Sequence, residues 1–150
     1  MGETITPLDI NARWKRVKGL TNHRGLYSGE KISLIIGKKA GAIYFNIACV
    51  AKYFRGMPEA VVLHECTDKK GLGFMQVPAG TQDSISLRRY SKARKMSAET
   101  SRTKSLKSFL QQFGLEKEGI YRYKPFYIEE ETLIVIDTSQ PLTVSYKTEE

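Results

Sequence analysis

The sequence is short of the residues from which small catalytic and metal sites are usually built. In 150 residues it has two cysteines, two histidines and one tryptophan. Cys49 and Cys66 are too few for a disulfide framework and read as small apolar residues. A zinc set drawn from them with His64 and His23 fails on spacing, because one residue separates His64 from Cys66 and no second pair follows. No metal is expected. No Ser/His/Asp spacing is visible, and Gly37-Lys38-Lys39-Ala40-Gly41 is not a phosphate-binding P-loop. The run Glu129-Glu130-Glu131 reads as a solvated turn. The expectation is therefore no enzyme, no cofactor and no small-molecule substrate.

Long apolar runs are missing too, with none approaching the ~18 residues of a membrane span. The first residues lack the basic-then-apolar layout of a signal peptide. These absences lead to the expectation of a soluble, cytoplasmic protein without a membrane partner.

What the chain does have is an ordinary globular composition and a polarised charge. It is 41% hydrophobic and 27% charged, and at this length it can bury a core without staples. Lys plus Arg is 24 against 16 acids, a net charge of +8. Residues 86–107 hold eight basic side chains against the single acid Glu99, whereas residues 125–150 hold six acids against Lys147. A concentrated basic segment is the footprint expected for a polyanion, since phosphate contacts release condensed counterions. A further basic stretch, 13–18, surrounds Trp14 and reads either as an arm on nucleic acid or as an element docking its indole on the core.

Hydrophobic periodicity orders the middle of the chain. Residues 31–36 and 42–45 read as strands about the 37–41 turn, and Asn46 suits a helix N-cap. Ile47, Val50, Ala51 and Phe54 then recur at helical spacing. Residues 60–65 and 71–77 read as a second hairpin. The same order returns: Ile85-Ser86-Leu87 echoes Ile32-Ser33-Leu34, and a strand or long hairpin is expected over 88–96. Leu106, Phe109, Leu110 and Phe113 mark a helix capped by Ser101 or Thr103, 59 positions beyond the first. Residues 119–123 and 132–137 follow as a hairpin turned at 128–131, and 138–150 reads as an edge strand or loose tail.

The expected fold class is thus α+β, two pseudo-repeated ββαββ units (31–80 and 84–138) in one swapped-hairpin, barrel-like domain spanning 31–150 with its tail, behind a basic N-terminal arm over 1–30. This order resembles the AbrB-type swapped-hairpin family, with Gly41 at the family's glycine and the segment from Lys39 to Asn46 leading into the helix. The resemblance covers residues 32–77, with a weaker echo over 85–137, and implies DNA binding, transcription regulation and a possible homodimer. The family's usual Arg and Pro are here Ala42 and Asn46, so the DNA-facing charge is expected on the second unit.

The function expected first is non-enzymatic binding of DNA, with RNA the lesser option. Arg88, Arg89, Lys92, Arg94, Lys95, Arg102 and Lys104 are the candidate phosphate contacts. Lys38, Lys39 and Arg16 would extend the surface, with Trp14 available to stack. The alternative is a protein-interaction module, such as a phage-type accessory protein, that grips an acidic protein partner. Tyr90, Tyr121 and Tyr123 suit stacking on single strands, but on strands they also serve as half-buried packing.

Overall fold

The computed structural model describes residues 29–92 and 95–146, with Lys92 described in its backbone alone. The basic stretch with Trp14 and Arg16, and Arg94, lie outside the described residues.

The strands are β1 (Ile32–Ile36), β2 (Gly41–Phe45), β3 (Ala60–Glu65), β4 (Gly71–Val77), β5 (Ser84–Lys92), β6 (Lys95–Thr100), β7 (Gly119–Tyr123), β8 (Phe126–Ile128), β9 (Leu133–Asp137) and β10 (Thr143–Tyr146). Helix α1 (Ile47–Tyr53) follows β2 and helix α2 (Lys104–Gln111) follows β6. Among the described residues no helix is long and apolar enough to cross a membrane.

All pairings are antiparallel, and they join the strands into one curled sheet in the order β10-β7-β1-β2-β6-β5-β3-β4-β9-β8. This corrects the α+β expectation of two ββαββ units. The order through the second helix is as read, but β8 is an additional strand after β7, and the ladders ignore the boundary between the halves: β1 pairs with β7, β5 with β3, β2 with β6, and β4 with β9. The described residues form a mostly β half-barrel with two short helices against it. Edges explain why. A lone hairpin presents unpaired N–H and C=O groups on both sides, and pairing each hairpin with one from the other half removes most of them.

The expected hairpin of 119–123 with 132–137 is corrected as well. β7 lies between β1 and β10, and β9 is turned instead onto β8. The break falls at Lys124-Pro125, where proline lacks the N–H that a continuing ladder requires. Within the expected tail 138–150, Thr143–Tyr146 is the edge strand β10.

One core serves the whole sheet. Phe45 on β2 meets Phe54 after α1 and Phe74 on β4, each edge-to-face at 5.2 Å between ring centroids. Ile32, Leu34, Ile43, Leu72 and Leu110 are fully buried around them. Asn46 caps α1, accepting from the Cys49 N–H at 2.9 Å and from the Lys31 N–H at 3.0 Å. The buried face of α1 is the expected one only in part, at Val50 and Phe54. Cys49, Val50 and Phe54 are buried, while Ile47 and Ala51 stay exposed. The face of α2 matches the reading, with Leu106, Leu110 and Phe113 buried and Phe109 packed at the margin.

Candidate nucleic-acid interface

The site is built where β6 hands the chain to α2. β6 pairs with β2 at Phe45–Ala98 and Tyr44–Glu99, and the chain meets β2 again at Gly41–Thr103 through two backbone hydrogen bonds of 2.9 and 3.1 Å. Between these contacts the register slips by one residue, as in a β-bulge. The Thr100 hydroxyl fills the gap, accepting the Ile43 N–H at 3.0 Å. Thr103 then caps α2, its Oγ1 accepting from the Leu106 N–H at 3.1 Å.

This junction brings α2 onto the β1–β2 turn. A Cβ on Gly41 would lie 2.8 Å from Lys107 Cα, so only glycine permits so close an approach. From there the Lys107 ammonium donates to the Lys38 carbonyl at 2.6 Å. The turn that carries Lys38 and Lys39 is thereby held against the helix that carries Lys104 and Lys107, with Arg102 just before it. The first turn of α2 carries no acid, and the helix N-terminus adds its own partial positive charge.

The β5–β6 hairpin divides the remaining basic residues. Arg88, Tyr90 and Lys92 stand opposite Glu99, Ser97 and Lys95, whereas Arg89 stands opposite Ala98, on the other face. Arg89 donates to the Pro58 carbonyl at 3.2 Å, toward the connection between α1 and β3. Glu99 sits across from Arg88 and pairs with Arg102 at 3.5 Å, tempering the charge on that row. The structure thus unites Lys38, Lys39, Arg102 and Lys104, sets Arg88, Lys92 and Lys95 along the hairpin, and separates Arg89. Sequence reasoning passed over Lys107 as a site residue, although its i+3 spacing from Lys104 puts both on one helix surface.

It also missed a cleft of about 410 Å³ beside α2. The β5–β6 ladder ends at Leu87–Thr100, while β5 continues along β3 through Ser84, Ile85 and Ser86. The chain after Thr100 has swung toward β2, and the cleft opens along the β5 edge it leaves. Leu63, Ile85, Leu106 and Phe109 form its apolar part, and Ser84, Ser86, Ser101, Thr103 and Ser105 contribute hydroxyls. The hydroxyl-rich run 97–105 was the available signal.

The remaining candidates serve packing. Tyr123 and Tyr121 are 0% and 5% exposed, and burial raises both phenols above their ordinary range. Their hydroxyls donate to the Thr138 and Lys117 carbonyls. Tyr90, by contrast, is 48% exposed. Cys49 is buried, and burial pushes its thiol up to about 12. Among the described residues no three His, Cys, Asp or Glu side chains gather as a metal site would need.

Comparison with known proteins leaves the argument on these residues, since the chain matches no family model, no curated protein and no solved structure.

Proposed function

We propose that this protein binds nucleic acid, DNA first, without performing chemistry on it, through the surface formed by the β1–β2 turn and the N-terminal half of α2. The observation that carries the reading is the Lys107–Lys38 hydrogen bond. It holds two basic segments, far apart in sequence, on one face with no acid in the first turn of α2. Such convergence suits a phosphate backbone, where each neutralised phosphate releases counterion.

The Arg88 and Lys95 row of the hairpin, with the exposed Tyr90 opposite Ser97, lies on the other sheet face and offers further cations there. Lysine and arginine contacts to phosphate position a nucleic acid without reading its sequence. The proposal is accordingly for affinity of broad sequence tolerance.

The test is fluorescence anisotropy of the purified chain against duplex DNA, single-stranded DNA and RNA over a range of salt. Engagement of Lys38, Lys39, Lys104 and Lys107 with a duplex predicts a log–log salt slope of about −3 to −4. No binding at low salt would overturn the reading and leave an acidic protein partner as the explanation of the basic face.

A further inference from the structure

We infer that the cleft between β5 and α2 receives an unpaired nucleobase, while the lysines beside it hold that nucleotide's backbone; the inference rests on the nucleic-acid reading above. The two features are parts of one segment. From 101 to 107, Ser101, Thr103, Ser105 and Leu106 line the cleft, and the intervening Arg102, Lys104 and Lys107 belong to the basic surface. The N-terminal turn of α2 therefore stands between the cleft and the Lys38–Lys39 turn, and a strand crossing that turn meets both.

The chemistry of the lining selects the base rather than the phosphate. No lining residue is charged. A phosphate buried there would meet no charged side chain of the lining, which disfavours it. A base is planar, with apolar faces and a hydrogen-bonding edge. The Leu63, Ile85, Leu106 and Phe109 side chains suit the faces, and the Ser86, Ser101 and Ser105 hydroxyls with the open β5 edge offer donors and acceptors to the edge. Phe109 is held in place by an edge-to-face contact with Phe113 at 5.2 Å. The volume of about 410 Å³ falls within the range of sites that enclose small organic groups.

A paired base cannot reach such a recess without leaving its stack, at a cost of a few kcal/mol. A single strand avoids that cost, so the cleft implies a preference for single strands over duplex of the same sequence.

The experiment compares anisotropy titrations of a single-stranded DNA oligonucleotide, its duplex and an abasic strand that keeps the phosphates, at one fixed salt. The proteins are the wild type, the cleft-filling variants Ser86→Tyr and Ser105→Trp, and the double variant Lys38→Glu/Lys39→Glu. Thermal melts of each variant accompany the titrations, and the two filling positions are exposed, so one altered fold leaves the other to report. The wild type should bind the single strand about tenfold or more tighter than the duplex or the abasic strand. The filling variants should lose that preference, and the double lysine variant should lose affinity for all three ligands. Equal wild-type affinity for single strand and abasic strand, or filling variants that keep the full preference, would overturn the base pocket and leave backbone binding intact. Failure of the wild type to bind any of the three would instead remove the nucleic-acid reading on which the pocket rests.

Discussion

The Lys107 ammonium and the Lys38 carbonyl are joined by a hydrogen bond of 2.6 Å, which ties α2 to the β1–β2 turn. Both partners come from lysines, so the contact concentrates positive charge instead of cancelling it. Replacing Lys107 with Gln keeps polar character at that point and removes one cation. The expected result is several-fold weaker nucleic-acid binding and a salt slope smaller in magnitude by about 0.9. Stability should move by no more than about 0.5 kcal/mol, as for other surface positions. Lys70, exposed beside the β3–β4 turn, is the control, and Lys70→Gln should leave the slope unchanged. A Lys107→Gln slope equal to wild type would place Lys107 outside the interface.

Gly41 controls the same geometry from the backbone. A methyl there would sit 2.8 Å from Lys107 Cα, 3.0 Å from its nitrogen and 3.1 Å from the Ile35 carbonyl oxygen. All three are backbone atoms, which cannot swing aside as a side chain can. Gly41→Ala should therefore destabilise the fold by about 1–3 kcal/mol, the range for overpacked sites, seen as a lower urea midpoint. It should also weaken nucleic-acid binding, because the clash separates α2 from the turn. A variant as stable as wild type would show that this approach is looser than described.

The contrast between these residues shows how far the sequence could be read. The helices were legible because their signals are local: the Asn46 and Thr103 caps, and apolar side chains three and four apart. The strands β1 to β4 were legible from their β-rich runs and the turns between them. Which hairpin pairs with which was not, since the Gly41–Thr103 bridge and the β1–β7 ladder join segments far apart in sequence. That gap produced the mistaken pair of ββαββ units. At the candidate site, reading 88–107 as one basic run hid the strand alternation that sends Arg88 and Arg89 to opposite faces. It likewise hid the cleft, which exists only because the chain after Thr100 follows β2 and leaves β5.

Glu99 is the acid most directly set against the proposed surface. It pairs with Arg102 and stands across the ladder from Arg88. A polyanion must compete with its carboxylate for both. Glu99→Gln should consequently strengthen binding several-fold at low salt, with the gain shrinking as salt screens the charges. The ion pair spans an exposed arginine, so its loss should alter stability little. Unchanged affinity at low salt would mean that neither Arg88 nor Arg102 meets the ligand.

The buried thiol of Cys49 makes a prediction about pH that is independent of any ligand. Burial first, and the charge of Glu30 second, raise it from 9.0 to about 12. A thiol is neutral when protonated, so both folded and unfolded chains carry the proton below pH 9. Above that pH the unfolded chain ionises while the folded one does not, and stability falls as pH rises toward 12. At 1.36 kcal/mol for each unit of difference, the full loss is of order 4 kcal/mol. Tyr123 and Tyr121 are raised from 10.0 and add their own losses from about pH 10 upward. The interval between pH 9 and 10 therefore belongs mainly to Cys49. Urea midpoints should decline across it in wild type and stay nearly level in Cys49→Ala, even though that variant begins less stable because of the cavity it leaves. Cys66 is exposed and should alkylate readily in the folded protein, whereas Cys49 should react only on unfolding. Equal slopes for the two proteins between pH 9 and 10 would show that the Cys49 thiol is not held in its protonated form by the core.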